Sequence, residues 1–203
     1  MRPVVVLSVA LSAAIAACSS TGSSFDPSGP CTGDGQRAGA YPDLEAQVPA
    51  VLERKPPNRL DSGRNCTIAR LGTLARHGIN ELRFAGGLWE TGSRSGTTLA
   101  VFSAPSLTSD LMAEFYEVGA RASTKTENVQ RSSVRVGGIL ATRIDTLNDQ
   151  SFQTIAVLPS SSAGLVRVAL VATDVREVPD RERHELAVES AVKDLADQDQ
   201  AGR

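Results

Sequence analysis

An apolar N-terminal segment that ends in a cysteine indicates the compartment in which this chain folds. A single basic residue, Arg2, precedes an apolar run over residues 4–17 that only two serines interrupt. One positive charge, about 7–15 apolar residues and a small-residue end are typical of a signal peptide. The run is too short for a transmembrane helix, which needs about 20 apolar residues. A buried core helix is the alternative, but the position at Met1 and the polar flank after Cys18 favour export and removal of residues 1–17.

The run closes with Ile15, Ala16, Ala17 and Cys18, which resembles the bacterial lipobox. In that motif an aliphatic residue and two small residues precede a cysteine that is diacylglycerated and becomes the first residue of the mature protein. Each buried methylene of an acyl chain such as palmitate contributes about 0.8 kcal/mol, so two or three chains make a permanent anchor. We therefore expect a lipoprotein whose domain lies on the outer face of the cytoplasmic membrane.

Two further cysteines, Cys31 and Cys66, follow the lipidated one. Outside the cytoplasm an even pair is normally a disulfide. The bridge would close a loop of about 36 residues, for which chain entropy predicts roughly 4 kcal/mol of stabilisation. A shared metal ion is the alternative, but two ligands without a CxxC spacing or a nearby histidine make a poor site. We expect the disulfide and no metal centre.

Charge and composition restrict the partners and the number of domains. The 21 basic residues less Arg2, set against 23 acidic residues, give the mature chain a net charge of −3. Such a chain lacks the positive charge that holds a phosphate backbone, so nucleic acid is not an expected partner. Residues 18–39 are rich in Gly, Ser and Pro and predict a flexible tether. Residues 40–203 suffice for a single globular domain.

Helical spacing of apolar residues predicts four helices. Two short ones cover residues 43–51 and 67–78, and Gly78 suits a left-handed C-terminal cap. A clearer helix covers residues 108–122, capped by Thr108 or Ser109. A last helix covers about residues 181–196. The expected buried side chains of the last three helices are Ile68, Leu71, Leu74 and Ala75; Leu111, Met112, Phe115, Val118 and Ala122; and Leu186, Ser190, Val192 and Leu195.

Six strands are predicted by apolar alternation between turn signals, and hairpin-length links join most of them. They cover residues 81–89, 98–102, 129–136, 139–144, 152–158 and 165–172. Because Arg167 is the only charged residue of the last strand, we expect that strand near the centre of the sheet. The order β-β-α-β-β-β-β-α indicates an α+β fold, in which a curved antiparallel sheet packs against helices and the disulfide tethers an N-terminal helical segment.

Residues 134–145, VRVGGILATRID, and residues 152–158, FQTIAVL, look like the central hairpins of PsbP-like lipoproteins of actinobacterial type. That family places an Ala-x-Arg strand after a Gly turn, followed by two apolar strands and a last helix. The resemblance covers about residues 80–196 and leaves out the segment that contains Cys31 and Cys66. It implies a binding or accessory role, and it carries over no functional residues because the family shares no catalytic set.

Few side chains suggest a catalytic or ligand-binding site. The two histidines, His77 and His184, are expected at a helix C-terminus and on a solvated helix face, and no GxSxG elbow accompanies them. Trp89 and Glu90 form a ligand-binding candidate, since a tryptophan beside a carboxylate occurs in sugar sites. A tryptophan that covers the end of the sheet is the alternative. Two further carboxylates, Asp145 and Asp149, are explained by turn chemistry.

No catalytic residue, metal site or cofactor is therefore predicted. The sequence favours a non-enzymatic binding or accessory domain whose partner is an envelope protein, a glycan or an apolar molecule, held where the sheet meets the helix at residues 108–122. The alternatives are a hydrolase of cell-wall material, working through Glu90 or a His-assisted serine, and a structural subunit of an envelope complex.

The lipobox interpretation predicts that Cys18→Ser releases the protein from the membrane. Mass spectrometry of the native protein is expected to find an acylated N-terminal Cys18, and the serine variant is expected in the soluble fraction because serine cannot form the thioether. An unacylated protein that begins at Met1 in the cytosol would contradict the interpretation.

Overall fold

A computed structural model describes residues 25–136, 138–148, 150–177 and 181–201. Residues 1–24, with the signal peptide and Cys18, lie outside the described residues, as does Asp149. The strands are β1 (Gly35–Arg37), β2 (Arg59–Asn65), β3 (Leu82–Glu90), β4 (Gly96–Ser103), β5 (Thr126–Val136), β6 (Ile139–Asn148), β7 (Ser151–Pro159) and β8 (Leu165–Asp174). The helices are α1 (Pro42–Glu45), α2 (Ile68–Leu71), α3 (Thr73–Arg76), α4 (Ser109–Ala122) and α5 (Arg181–Ala201).

The strands form one open antiparallel sheet with the order β1-β2-β3-β4-β8-β7-β6-β5. The predicted α+β class and the six predicted strands are confirmed, and β8 lies near the centre, between β4 and β7, as its composition indicated. Two strands at one end, β1 and β2, were not predicted. Among the described helices none is both long and apolar enough to cross a membrane.

Helices cover both faces of the sheet, which explains why the central strands are apolar on both sides. On one face α5 and the α1 segment pack over the sheet around Leu99, Val171 and Leu195. On the other face α4 packs with α2 and α3 around Leu74, Met112 and Val168. The sheet therefore has no extended face open to solvent over these central strands.

Several helix predictions need correction. Thr108 caps α4, since its Oγ1 accepts from the amide of Leu111 at 3.3 Å. However, α4 buries Met112, Ala113 and Ala120, whereas the predicted core residue Val118 is 43% exposed. In α5 the buried face runs through Val188, Ala191, Val192 and Leu195, and Leu186 points to solvent. Ile68, expected in the core, is 78% exposed, and Gly72, at φ +52°, breaks the predicted helix into α2 and α3.

The N-terminal segment is clamped to the β1 end of the sheet. Arg64 of β2 is 4% exposed, and its guanidinium donates to the carbonyls of Asp26, Gly29 and Pro30 at 2.8–3.1 Å. The predicted disulfide between Cys31 and Cys66 is present, with 5.5 Å between the Cα atoms. The predicted tether to residue 39 therefore differs from the structure, in which residues 25–39 pack on the domain.

Glycine is required where β1 approaches β2. A Cβ on Gly63 would overlap the carbonyl oxygen of Gly35, which is a backbone atom, whereas a Cβ on Gly33 would meet nothing within 4 Å. The close approach lets β1 pair with β2 in the register Gly35–Arg64 to Arg37–Ser62. The pairing of β1 with β2 therefore requires glycine at position 63.

Gly63→Ala is expected to destabilise the domain by about 1–3 kcal/mol, the usual cost of overpacking. The midpoint of urea unfolding with the disulfide intact measures this loss. Gly33→Ala is the matched control and should change stability by less than about 0.5 kcal/mol. Equal midpoints for the two variants would contradict the close approach of β1 and β2.

Candidate functional site

A cavity of about 160 Å³ opens beside the N-terminus of α5, where α5 crosses β5, β6 and β7. It has room for about five water molecules at their share of liquid volume. Its lining is mostly polar: Asn128, Gln130, Asp145, Thr146, Leu147, Phe152, Gln153, Thr154, Arg181 and His184. Of these residues the sequence had singled out only His184 and Asp145, and neither for binding.

The imidazole of His184 is buried under the first turn of α5, which corrects the expectation of a solvated residue. The residue as a whole is only 2% exposed. The Nε2 atom lies 2.8 Å from the hydroxyl of Thr154 on β7, and Nδ1 lies 2.9 Å from the hydroxyl of Thr173 on β8. Both ring nitrogens are thus bonded to the sheet.

The neighbouring carboxylate determines which way these hydrogen bonds run. Thr154 donates its hydroxyl proton to Oδ1 of Asp145 at 2.6 Å, so its oxygen accepts from Nε2–H of His184. Burial lowers the pKa of His184, against the opposing effect of the Glu185 carboxylate, and so favours the neutral imidazole. In this neutral form the proton is on Nε2, and Nδ1 accepts from the hydroxyl of Thr173.

Asp145 is held ionised by a guanidinium on the same strand. Arg143 donates from Nε and Nη2 to the two oxygens of Asp145 at 2.7 and 2.8 Å, and it also pairs with Glu185 of α5 at 2.6 Å. Burial acts to raise the pKa of Asp145, but the bonds from Arg143 and Thr154 outweigh it and the pKa is lowered. The expectation that Asp145 serves a turn is wrong: it lies within β6, opposite Thr154.

The remaining wall combines one aromatic ring with amides. The guanidinium of Arg181 lies 5.8 Å from the ring centroid of Phe152, within cation–π range, and Arg181 also pairs with Glu185 at 3.3 Å. A bulge between Glu127 and Gln130 shifts the register of β5 here, with Asn128 at φ +53°. Bulges re-aim side chains at strand edges, and this one brings Asn128 and Gln130 to the cavity.

The hydrogen-bonded chain contains the residue types of a hydrolytic triad but lacks their geometry. Thr154 stands between the carboxylate and the imidazole, so its proton is directed to Asp145 and not to His184. The second hydroxyl, on Thr173, faces Nδ1, but Thr173 is 6% exposed and Thr154 is 1% exposed. A nucleophile must reach its substrate, so this arrangement favours a structural and binding role over catalysis.

Trp89 and Glu90 do not form an open sugar site. Trp89 is 3% exposed, and its indole N–H donates to the carbonyl of Lys55 at 2.9 Å. Its ring lies over Gly87, where an added Cβ would come within 2.8 Å of two ring carbons. Glu90 is exposed at the neighbouring strand position, on the opposite face. The ligand-binding candidate is therefore corrected: Trp89 is a buried core residue.

The other sequence candidates lie elsewhere. His77 ends α3 and is exposed, with Nε2 3.0 Å from a carboxylate oxygen of Glu114 on α4. A larger depression, of about 510 Å³, opens at the start of α4 and is lined by Asp110, Arg131, Leu140 and Pro159 with four hydroxyl residues, Ser109, Ser132, Ser133 and Thr142. It lies where a ligand was predicted, but its eight lining residues offer no aromatic ring, and the α4–sheet contact beneath it is closed by Met112 and Ala113.

A weak signal for the site was present in the strands. Thr154 and Thr173 occupy inward positions among apolar neighbours, and a buried hydroxyl is expected to have a hydrogen-bond partner. Period-two alternation also places Arg143 and Asp145 on one face. No sequence pattern indicated that α5 would bring His184 to both threonines.

No protein-family model matches this chain, and no curated protein matches it. The similarity to PsbP-like lipoproteins therefore stays a prediction.

The buried neutral imidazole predicts a loss of stability in acid. Below about pH 6.5, the ordinary pKa of histidine, the unfolded chain binds a proton on His184 that the folded state, whose pKa is lower, does not yet bind. The contribution of the neutral His184 to the free energy of unfolding should therefore be complete above pH 6.5. It should fall as the pH drops from there towards the pKa of His184 in the folded protein.

Urea unfolding at several pH values measures this dependence, and His184→Gln is expected to reduce its slope between pH 6.5 and 5. His77→Gln removes the exposed histidine, and comparison with it separates the effect of burial from the loss of an imidazole. A slope unchanged in His184→Gln would contradict the buried neutral imidazole.

Proposed function

We propose that this chain is a non-enzymatic binding domain, anchored outside the cytoplasmic membrane through Cys18, that binds a neutral glycan unit in the cavity beside His184. The observation on which the proposal rests is the lining of that cavity: amides, one carboxylate and one aromatic ring around a volume of about 160 Å³. Each of these groups matches one feature of a sugar ring.

The charge of the lining favours a neutral ligand. It contains one carboxylate, Asp145, and one guanidinium, Arg181. Both charges are already compensated, the first by Arg143 and the second by Glu185. An anionic ligand would meet Asp145, whose lowered pKa keeps it negative, and an apolar ligand would strip water from the amides of Asn128, Gln130 and Gln153.

The size and shape favour a single ring. Pockets for drug-sized molecules measure about 300–1,000 Å³, so this cavity takes a smaller unit. Sugar hydroxyls both donate and accept, which suits amide groups and a carboxylate. The ring of Phe152 and the side chain of Leu147 offer apolar surface for the C–H face of a pyranose.

The extracytoplasmic location and the accessory role complete the proposal. The disulfide is compatible with an oxidising compartment outside the cytoplasm, where a lipid-anchored domain would meet envelope glycans. The resemblance to PsbP-like lipoproteins agrees with binding without catalysis. The hydrolase alternative gains no support at His184, because the hydroxyls of Thr154 and Thr173 are buried.

Titration with N-acetylglucosamine, followed by calorimetry or by amide chemical shifts, tests the proposal. Saturable binding is expected, and Gln130→Ala should weaken it about three- to tenfold, the effect of one lost hydrogen bond. Gln130 is exposed, so this variant should fold normally. Phe152→Ala should weaken binding further, with thermal unfolding as the check of its fold.

Ser133→Ala is the matched control, because Ser133 lies on the same strand as Gln130 but lines the depression at α4. Its affinity should equal that of the parent protein. Inorganic phosphate and a fatty acid serve as the anionic and apolar probes. Tight binding of either one, or sugar binding that Gln130→Ala leaves unchanged, would contradict the proposed ligand class.

A further inference from the structure

The clamp on the N-terminal segment fixes where the chain leaves the folded domain. Phe25, the first described residue, packs at β1: a Cβ on Gly35 would overlap its ring. The guanidinium of Arg64 lies 5.7 Å from the centroid of the same ring and bonds the next carbonyls along the chain. The exit point is therefore part of the β1 end of the sheet.

The bonds at this exit point are redundant, and those of Arg64 are partly buried. Arg64 holds three carbonyls, and the disulfide joins the segment to the end of β2. Asp34 accepts from the amides of Cys66 and Thr67 at 2.7 and 2.9 Å and from the Thr67 hydroxyl at 2.6 Å. The segment up to residue 34 therefore moves with the domain as one body.

The number of residues before Phe25 limits the distance to the membrane. Seven steps along the chain separate the Cα atoms of Cys18 and Phe25, which reach at most roughly 25 Å even when fully extended. Strands lie about 4.8 Å apart, so β5 lies roughly 34 Å from β1 across the eight-stranded sheet. An orientation with the β5 edge on the membrane and β1 uppermost would require a longer connection.

From these lengths we infer that the β1 edge of the domain faces the lipid surface and that the β5 edge, with the cavity beside His184, faces away from it. The inference rests on the proposed lipid anchor at Cys18. It deepens the proposed function by indicating the direction from which the ligand comes. The cavity is lined from β5, β6 and β7, the three strands farthest from β1. Its ligand therefore comes from the aqueous side, as a wall glycan would, and not from the bilayer.

Energy transfer from the domain to the bilayer tests this orientation in the full-length lipidated protein. Single cysteines replace the exposed Arg37 on β1 or the exposed Ser133 on β5. A donor fluorophore is attached to the new thiol, since Cys31 and Cys66 are bridged and Cys18 carries the lipid. Each protein is then reconstituted into phosphatidylglycerol vesicles that contain a headgroup-linked acceptor.

Transfer is expected to be strong for Arg37→Cys and severalfold weaker for Ser133→Cys. Inserting about 20 Gly/Ser residues before Phe25 lengthens the reach beyond the width of the sheet and should remove most of the difference. Equal transfer at both positions in the short, acylated protein, or stronger transfer at Ser133→Cys, would overturn the orientation and leave glycan binding untouched. A mass spectrum without acyl chains on Cys18 would overturn the anchor and the orientation together.

Discussion

The imidazole of His184 joins the last helix to two central strands, and the shape of the cavity depends on that bond pattern. A buried imidazole without partners would be costly, but here both nitrogens are bonded, and the tautomer is dictated by the carboxylate of Asp145 through Thr154. Because Arg143 bonds both Asp145 and Glu185, the start of α5 is tied to the sheet on two sides. The result is a preformed polar recess at the helix N-terminus, next to a bulged edge strand.

The same sheet carries a second fixed point at its opposite end. There the buried Arg64 and the disulfide hold the incoming chain against β1 and β2. Each fixed point depends on one buried polar side chain, Arg64 or His184. Burial of such a side chain is tolerated because the surrounding groups form its hydrogen bonds. They lie at opposite edges of the sheet, which is why an anchor at one end orients a binding site at the other.

Local pattern predicted most of the fold, and long-range pairing accounts for what it missed. The hairpins β3–β4, β5–β6 and β6–β7 follow from alternation and turn residues, and Thr108 marked the start of α4. In contrast, β2 reads RLDSGRN and has no apolar alternation. It is a strand because it pairs with β3 along seven residues and because Gly63 admits β1.

The candidate site could not be predicted from the sequence for a similar reason. Trp89 looked functional because tryptophan beside a carboxylate suits a sugar, yet its face of β3 is the core face. His184 looked solvated because its neighbours Arg181 and Arg183 are charged, yet its position on α5 points it at Thr154 and Thr173. Those partners lie 30 and 11 residues away along the chain, and only the packing of α5 on the sheet brings them together.

The most direct test of the account is nitrogen NMR of the histidine side chains during a titration with N-acetylglucosamine. The account predicts that His184 shows the tautomer with its proton on Nε2 and that its signals shift saturably with the sugar, whereas those of His77 do not. A charged or exchanging imidazole at neutral pH, or sugar that leaves the signals of His184 unchanged, would contradict the central claim that the cavity beside His184 is the binding site.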